Sequence, residues 1–530
     1  MFSDQFNLAH YLLEHNLEAG RGDKVALSWR DEEHRYSDLS DKSSRLAHGF
    51  LQLGLRPEER VLIVLPDRPE FAWTWFATLK CGAVFAMVNP LLKPEDYAYY
   101  LDYSQASIAV VDETLAETFH HLAEECPSLR AVVVAGGEGS SEESGKMQPS
   151  QHSCLGLISQ APDSPVMADT HRHDIAGWLF TSGSTGKPKA AVHSHENFAF
   201  NIEHYAKGVL EITENDITAG VPKLFFGYAT GTNLMFPFAV GGSTVLFSDR
   251  STPEKIYKVC EKYRPTILTS VPTMIGKMLA CDSAQSPMDL PSLRLILSAG
   301  EKLPDALHRQ WLERYNIEIL DGIGSAELFH IYISNRPGAV RFGSLGQAVP
   351  GYDCRVVDND GRQLPPGEVG RMEVRGESAA LCYWQDPEKS ETTFQGNLVI
   401  TGDLFRVDED GYFFYEGRAD DLLKVGGVWV APHEIEDCLL THEAVEQAAV
   451  VGWEDEETLV KPKAFIVATD KDAPSTDKET EALKTTLQNW VKENLAPYKY
   501  PRFVEFVPDL PRNDRGKIDR KSLQQRQTSS

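Results

Sequence analysis

The sequence predicts an α/β protein: a large N-terminal domain of parallel α/β subdomains with a small antiparallel β region, followed by a small α+β C-terminal domain. Three observations predict it. From residue 20 to about 340, short continuous apolar runs alternate with longer helical patterns; from about 341 to 416 the chain becomes a series of glycine-punctuated strand pairs; after Gly417 a compact mixture of helix and strand follows. Unbroken apolar runs bounded by turn residues mark strands covered on both faces, and the helical stretches between them supply the crossovers that parallel strands require.

In chain order, the strands are expected at VLIVL (61–65), VFAMV (84–88), IAVV (108–111), AVVV (131–134), TVLF (244–247), TILTSV (266–271) and RLILSA (294–299). The most apolar stretch, Phe71 to Leu92, contains Lys80, Gly82, Asn89 and Pro90, so it reads as a buried helix followed by a strand rather than a membrane span. Residues 136–169 are rich in Gly, Ser, Glu, Pro and Asp without periodicity and are expected to form an exposed loop. CRVVDNDGRQL and GRMEVRGES suggest antiparallel strand pairs. Beyond them come a helix beginning near Pro432, a strand at Ala464 to Ala468, a helix around Thr480 to Glu493 and a basic tail. The expected domain division is 1–419 and 420–530.

Composition narrows the function. The chain has 530 residues, 52 Lys and Arg against 78 Asp and Glu, a formal net charge of −26 and 42% hydrophobic residues. Such a chain can bury large cores, which excludes disordered and small disulfide-scaffold classes. Its acidity argues against a general nucleic-acid binder, so any anionic ligand must be held by a local site. The eight cysteines are scattered, without a CxxC pair or zinc spacing, and the expectation is free thiols in a reducing cytoplasm. MFSDQFNLAHYLLEH lacks a basic region followed by an apolar run, so no signal peptide or membrane association is expected.

The most informative segment is DIAGWLFTSGSTGKPKAAVHSH at 174–195. An apolar strand empties into Ser182, Gly183, Ser184, Thr185, Gly186, Lys187, Pro188 and Lys189. Glycines let successive N–H groups converge on an anion, hydroxyls add donors and lysines add charge, a composition suited to polyphosphate. It is not a Walker A loop: only two residues separate Gly183 from Gly186, and Pro188 stands where that loop has its magnesium-binding hydroxyl. A Gly/Ser/Thr loop after a strand is, taken alone, an ordinary turn. His193 and His195 have no third ligand beside them and are expected to shape the region behind the loop.

TSGSTGKPK, DGIGSAE (321–327), TGD (401–403), GRADDLLKVGG (417–427) and LPRNDRGKIDR (510–520) together resemble, in order and spacing, the adenylate-forming acyl-CoA ligase superfamily. KLFFGYATGTNLMFPF, DGIGSAELFHIYISNRPG and LLKVGGVWVAPHEIE are similar to its benzoate-CoA ligase branch, which joins aromatic acids to coenzyme A. The resemblance implies two steps: a carboxylate attacks the α-phosphorus of Mg-ATP, and a thiol then displaces AMP from the acyl-adenylate. The implied ligands are an aromatic carboxylic acid, ATP, Mg²⁺ and CoA. Loading of a carrier-protein phosphopantetheine, a catalytically impaired nucleotide or acyl binder, and assembly as a homodimer stay open.

The same resemblance assigns residues. Thr181, Ser182, Ser184, Thr185 and Lys189, with the backbone of Gly183 and Gly186, would hold the departing phosphates. Glu327 matches the carboxylate associated with Mg²⁺, a hard-oxygen role. Gly300, Glu301 and Ile323 would flank the adenine, with Asp321, Gly322 and Gly324 in the same nucleotide segment. Asp403 would accept the ribose hydroxyls, and Arg418 would be a second nucleotide contact. Asp420 would be the hinge of a mobile C-terminal domain, and Lys517, otherwise a solvated tail cation, would bridge the acid and the α-phosphate. Phe226, Gly227, Tyr228, Gly231, His330 and Ile331 would surround the acyl group, with Lys424 near the entrance and Gly426 and Gly427 along the pantetheine arm. Gly227, where many benzoate-type members have Ala, is expected to leave room for a ring substituent such as hydroxyl or amino.

Two positions depart from the pattern. Ala190 replaces a glycine after Pro-Lys, which matters only if that residue needs positive φ. Ala326 replaces a threonine that would donate to the α-phosphate, and loss of such a donor costs on the order of 10²–10³ in rate. Ser325 is the neighbouring hydroxyl, with its side chain expected to point elsewhere.

Overall fold

The computed structural model describes residues 2–136, 151–182, 187–281, 289–425, 428–454, 460–469, 473–512 and 518–526. The chain divides into two compact units, Met1–Cys354 with Val374–Ile400, and Arg355–Glu373 with Thr401–Ser530.

The apolar runs build two large sheets in the first unit. The eight-stranded sheet runs Cys382–Tyr383, Pro188–Ser194, Ile175–Ser182, Val84–Met87, Arg60–Val64, Ile108–Asp112, Ala131–Ala135 and Gln151–Ser153. The nine-stranded sheet runs Gln347–Ala348, Ile331–Ser334, Glu318–Gly324, Leu295–Ser298, Ile267–Ser270, Ile217–Gly220, Ser243–Leu246, Val25–Trp29 and Glu32–Arg35. Central strands such as Val84–Met87 and Leu295–Ser298 are buried at every residue, because helices cover both faces. In both sheets a run of parallel strands ends in an antiparallel hairpin, Ile175–Ser182 with Pro188–Ser194 in one and Glu318–Gly324 with Ile331–Ser334 in the other. Those hairpins carry the two most distinctive motifs.

The Phe71 to Leu92 stretch is the helix Pro69–Lys80, buried along its whole length, followed by the strand Val84–Met87. Lys80 is only 1% exposed, and its ammonium is held 2.6 Å from Glu14 and 2.8 Å from Ser44 Oγ. A buried cation so paired and hydrogen-bonded is tolerated where an isolated one is not. Among the described residues, no helix is long and apolar enough to cross a membrane. All eight cysteines are among the described residues, and none is in a disulfide.

The expected loop at 136–169 is corrected in part. Residues Gln151–Ser153 form an edge strand parallel to Ala131–Ala135, and Cys154–Gln160 is a helix whose first turn is capped by Ser153 Oγ accepting from Gly156 N. An edge strand is recruited by the unpaired backbone groups of its neighbour, which leave no periodicity in side chains. Residues 137–150 lie outside the described residues.

The second unit contains the antiparallel pairing of Asp403–Val407 with Phe413–Arg418 and the ribbon Leu423–Val425 with Val428–Val430. A C-terminal sheet follows, in which Val445–Glu454 pairs antiparallel with Val460–Ala468 and Phe503–Phe506 adds in parallel. Helices Pro432–Leu440 and Asp477–Asn494 place Ile435, Leu439, Leu487 and Val491 against Ala464 and Ile466. Thr476 and Glu479 form a reciprocal cap that starts the longer helix.

Candidate active site

The phosphate-loop motif sits on the first hairpin. Thr181 and Ser182 end its first strand, Pro188 and Lys189 begin the next, and Lys189 lies directly across the ladder from Thr181. Gly183, Ser184, Thr185 and Gly186 lie outside the described residues. Ala190 is buried, pairs with Phe180 and is absent from the positive-φ residues, so this position has no need of glycine. Lys189 Nζ lies 3.4 Å from the ring centroid of Tyr383, a cation–π contact.

The second hairpin carries Asp321, Gly322, Ile323 and Gly324. A Cβ on Gly322 would lie 2.7 Å from Ile333 O, and one on Gly324 would lie 2.6 Å from His330 O, so close backbone approach of the return strand excludes side chains at both. Asp321 is buried with Ser298 Oγ donating to it at 2.8 Å, and burial pushes its carboxyl up to about 7. Gly300 has φ +88° with open space where a Cβ would be. Glu301 Oε2 accepts from Thr273 N at 3.1 Å and from Thr273 Oγ1 at 2.6 Å.

Glu327 lies in the short turn Ala326–Leu328. Just beyond it Phe329 adopts φ 66° and ψ −59°, with His330 N donating to Leu328 O at 2.8 Å. This three-residue turn is of the rare, strained sense, and for a bulky residue it costs of order 1–3 kcal/mol. It is held because the Phe329 ring is buried edge-on against Phe198, with centroids 4.7 Å apart. The turn is gripped from outside as well. His193 Nε2 lies 2.7 Å from Ala326 O, Ala380 N donates to Glu327 O at 2.8 Å, Ser378 Oγ donates to Leu328 O at 3.0 Å, and Tyr383 Oη donates to Glu327 Oε1 at 2.6 Å.

Burial pushes the His193 and His195 imidazoles down to about 4, so both are neutral at pH 7. His193 therefore carries its proton on Nε2, facing a carbonyl, while His195 Nδ1 accepts from Leu8 N at 3.1 Å. Among the described residues, no group of three or more His, Cys, Asp or Glu is arranged to hold a metal. Ser325 Oγ is buried without a hydrogen-bond partner.

Phe226, Gly227, Tyr228 and Gly231 run into the helical segments Gly227–Thr230 and Gly231–Met235. His330 connects this segment to the second hairpin. Its Nε2 lies 3.0 Å from Tyr228 O, and its ring lies 5.2 Å from Tyr228 and 4.7 Å from Phe236, centroid to centroid. Burial holds His330 down at about 4, so the neutral ring donates through Nε2. A Cβ on Gly231 would lie 2.4 Å from His330 Cδ2, which is why this position is glycine. A Cβ on Gly227 would meet Leu179 Cδ2 at 3.2 Å. Leu179 therefore bounds the space of the missing methyl, and would have to give only a few tenths of an ångström to admit one. Tyr228 Oη and His330 Nδ1 are buried without hydrogen-bond partners. Ile331 is buried, its carbonyl accepting from Asn201 Nδ2 at 2.9 Å.

In the second unit, Asp403 and Arg418 are cross-strand partners, with Arg418 Nη1 3.6 Å from Asp403 Oδ1. A Cβ on Gly402 would meet Arg418 Nη2 at 2.7 Å, so the guanidinium lies over the glycine. Asp420 falls in the turn Ala419–Asp421 and Lys424 on the strand Leu423–Val425. Gly426, Gly427 and Lys517 lie outside the described residues.

Within the first unit, then, the fold gathers Lys189 and Glu327 around Tyr383, with Thr181 across the ladder from Lys189, and packs Gly231 and Tyr228 against His330. Tyr383 and Leu179 were missed by sequence reasoning. Tyr383 is 56 residues from the carboxylate it holds, and neither residue belongs to a pattern that announces the contact.

A hairpin whose second strand brings Lys189 to the tyrosine that clamps Glu327 defines a class, and comparison agrees: the chain belongs to the AMP-binding enzyme family, whose main domain matches residues 13–384 and whose C-terminal domain matches residues 434–517. Among individual proteins, it is 41% identical to a benzoate–CoA ligase of Thauera aromatica over 98% of this chain and 96% of that one. Among solved structures, it is similar to the anthranilate CoA ligase AuaEII in complex with anthranoyl-AMP, with a TM-score of 0.91 and 38% identity over 100% of this chain and 98% of that one. A benzoate CoA ligase from Burkholderia xenovorans LB400 gives a TM-score of 0.86 and 38% identity over 98% of this chain and 100% of that one.

Proposed function

We propose that the protein is an ATP-dependent aryl acid:CoA ligase that forms an aryl-adenylate and then an aryl-CoA thioester, releasing pyrophosphate and AMP. The observation that carries this reading is the convergence of Lys189 and Glu327 on Tyr383, at 3.4 Å and 2.6 Å. It brings a cation and a hard carboxylate from two separate motifs onto one side chain, in a chain of the AMP-binding enzyme family.

In the first step the acid's carboxylate attacks the α-phosphorus and the bond to pyrophosphate breaks. Thr181, Ser182, Ser184, Thr185 and Lys189, with the Gly183 and Gly186 backbone, stabilise the charge gathering on the leaving group. Gly300, Glu301, Asp321, Gly322, Ile323 and Gly324 cradle the base, and Asp403 and Arg418 hold the ribose side. Lys517 neutralises charge between carboxylate and phosphate. In the second step the CoA thiol attacks the carbonyl and AMP leaves, with Gly426 and Gly427 along the pantetheine arm and Lys424 at the acyl entrance. Neither step needs a covalent enzyme nucleophile; the protein positions reactants and balances charge.

Mg²⁺ suits this donor set, because it is ordinarily held by one or two carboxylates together with substrate phosphates, and Glu327 is such a carboxylate. When bound, it would neutralise phosphate charge. The proposed domains are 1–419 and 420–530, the second reorienting about Asp420 between the steps. Phe226, Gly227, Tyr228, Gly231, His330 and Ile331 form the acyl site. The orphaned Tyr228 Oη and His330 Nδ1 favour acids whose ring bears a hydroxyl or amino group, since a buried polar atom without a partner loses stability.

The test is acid-dependent ATP–pyrophosphate exchange with benzoate, hydroxybenzoates, anthranilate and cinnamate. Exchange with an aromatic acid, followed by aryl-CoA formation when CoA is added, is the expected result. No exchange with any acid overturns the proposal, and exchange without a CoA product favours loading of a carrier-protein phosphopantetheine instead.

A further inference from the structure

We propose that Tyr383 is a positioning residue that locks Glu327 and Lys189 into one arrangement at the phosphate site; this rests on the ligase reading above. Tyr383 lies in a two-residue strand, Cys382–Tyr383, added to the edge of Pro188–Ser194, with Tyr383 opposite Ala191 and Cys382 opposite Val192. Three further bonds fix its backbone: Tyr383 N donates to Ser390 Oγ at 2.9 Å, Trp384 N to Ala190 O at 2.9 Å and Leu381 N to Val192 O at 2.8 Å. The ring is 4% exposed and packs on Phe394, with centroids 4.9 Å apart. Rigidity of this kind is what a positioning side chain requires, because a freely rotating phenol would fix nothing.

The ring and its hydroxyl do separate things. The Lys189 ammonium sits 3.4 Å from the ring centroid, while the hydroxyl donates to Glu327 Oε1 at 2.6 Å. The first contact holds a long, rotamer-rich cation over one face of the ring, so that part of its side-chain entropy is already spent before phosphate arrives. The second holds one carboxylate oxygen and leaves the other lone pairs of Glu327 for a hard cation. The two contacts reinforce each other: a cation on the π face withdraws electron density from the phenol and makes its O–H a stronger donor to the carboxylate. Glu327's backbone is gripped independently, by Ala380 N at 2.8 Å on its carbonyl, so Tyr383 governs the side chain rather than the path of the turn.

Two substitutions separate these roles. Tyr383→Phe keeps the ring under Lys189 and removes the hydroxyl, whereas Tyr383→Leu removes both. The readouts are the rise in melting temperature that ATP produces as Mg²⁺ is titrated, the KM for ATP against kcat in pyrophosphate exchange, and the melting temperature without ligand. For Tyr383→Phe, the Mg²⁺ concentration giving half of the ATP-induced shift should rise 3- to 10-fold, with ATP affinity at saturating Mg²⁺ within twofold of the wild type. Tyr383→Leu should lose a further tenfold in ATP affinity at saturating Mg²⁺. In a Glu327→Gln background, Tyr383→Phe should leave the Mg²⁺ midpoint unchanged, because the carboxylate it served is gone.

A Tyr383→Phe enzyme with a wild-type Mg²⁺ midpoint overturns the proposal, as does a midpoint shift of the same size in the Glu327→Gln background. If the wild type itself shows neither Mg-ATP stabilisation nor exchange, the ligase reading fails and takes this inference with it. An active wild type with an indifferent Tyr383→Phe sinks this inference alone.

Discussion

Gly231→Ala places one methyl group against the imidazole that joins the proposed acyl segment to the Glu327 hairpin. The backbone at 231, φ −59° and ψ −62°, is ordinary helix, so alanine by itself favours the helix by about 1 kcal/mol. The side chain opposes this. The new Cβ would lie 2.4 Å from His330 Cδ2 and 2.7 Å from Nε2, whereas carbon contacts settle near 3.5–4.0 Å, so the ring must retreat by about 1 Å. His330 is 2% exposed and boxed by Tyr205, Tyr228 and Phe236, and retreat stretches the 3.0 Å bond from Nε2 to Tyr228 O. Overpacking costs typically about 1–3 kcal/mol, and a buried donor left unsatisfied about 1–3 kcal/mol more. After the helix gain the net cost is at least about 1 kcal/mol; if the displaced ring passes that cost on to the acid, and since about 1.4 kcal/mol is a factor of ten, the KM for the aromatic acid should rise by about fivefold or more, while the KM for ATP stays within roughly twofold. Pyrophosphate exchange with each substrate varied in turn is the assay, with circular dichroism melting to confirm folding. Gly227→Ala is the graded control: its methyl meets Leu179 at 3.2 Å and needs only a few tenths of an ångström, so its effect should be much smaller. A folded Gly231→Ala enzyme with a wild-type KM for the acid would remove His330 from the acyl site and refute the reasoning.

Three further outcomes are expected. Ala326→Thr restores a hydroxyl beside Glu327, and adenylation should accelerate toward the limit of about 10²–10³ for an added donor to developing charge; exchange seen only in Ala326→Thr would mark the parent as an inert binder, and an unchanged rate would mean the α-phosphate is served by another donor. Asp321 has a folded-state pKa raised to about 7 by burial, so its contribution to stability is full below about pH 4, its unfolded value, and is lost as pH rises through 7, at up to ~1.4 kcal/mol per unit. Asp321→Asn should remove that decline, so denaturant melts at pH 4.5 and 7.5 should bring the two proteins closer to, or reverse, their order at the higher pH; a difference independent of pH contradicts the assignment. Lys517→Ala should abolish adenylation while sparing thioester formation from supplied aryl-adenylate, and equal loss of both steps would contradict the role given to Lys517.

Much of this architecture is legible in particular residues. Runs such as VFAMV and RLILSA announce their strands because a strand buried on both faces must be apolar at every position. Lys80, Gly82 and Pro90 distinguish a buried helix and strand from a membrane span, since the lysine needs the partner that Glu14 supplies. The strand Gln151–Ser153 is not legible, because edge pairing is a backbone contract with no side-chain signature. Nor is the strained turn at Phe329, which is imposed by the clamps on either side of it. Ala190 looks like a departure from a glycine rule, yet its extended, paired backbone asks for no glycine. Beside Gly227, Leu179 marks how close the neighbouring strand comes, a contact between residues far apart in the chain.

The sequence by itself determined the order of the strands along the chain, the motif loops and the chemistry those loops offer, because periodicity and turn composition are local properties carried by neighbouring residues. Only the tertiary structure decided which of those residues meet: that Tyr383 stands between Lys189 and Glu327, that His330 closes on Gly231 and Leu179 on Gly227, and that Ser325 Oγ is turned into the interior. These are contacts between segments tens to hundreds of residues apart, set by sheet pairing and close packing, and no local pattern encodes the distance between two side chains that only the folded chain brings together.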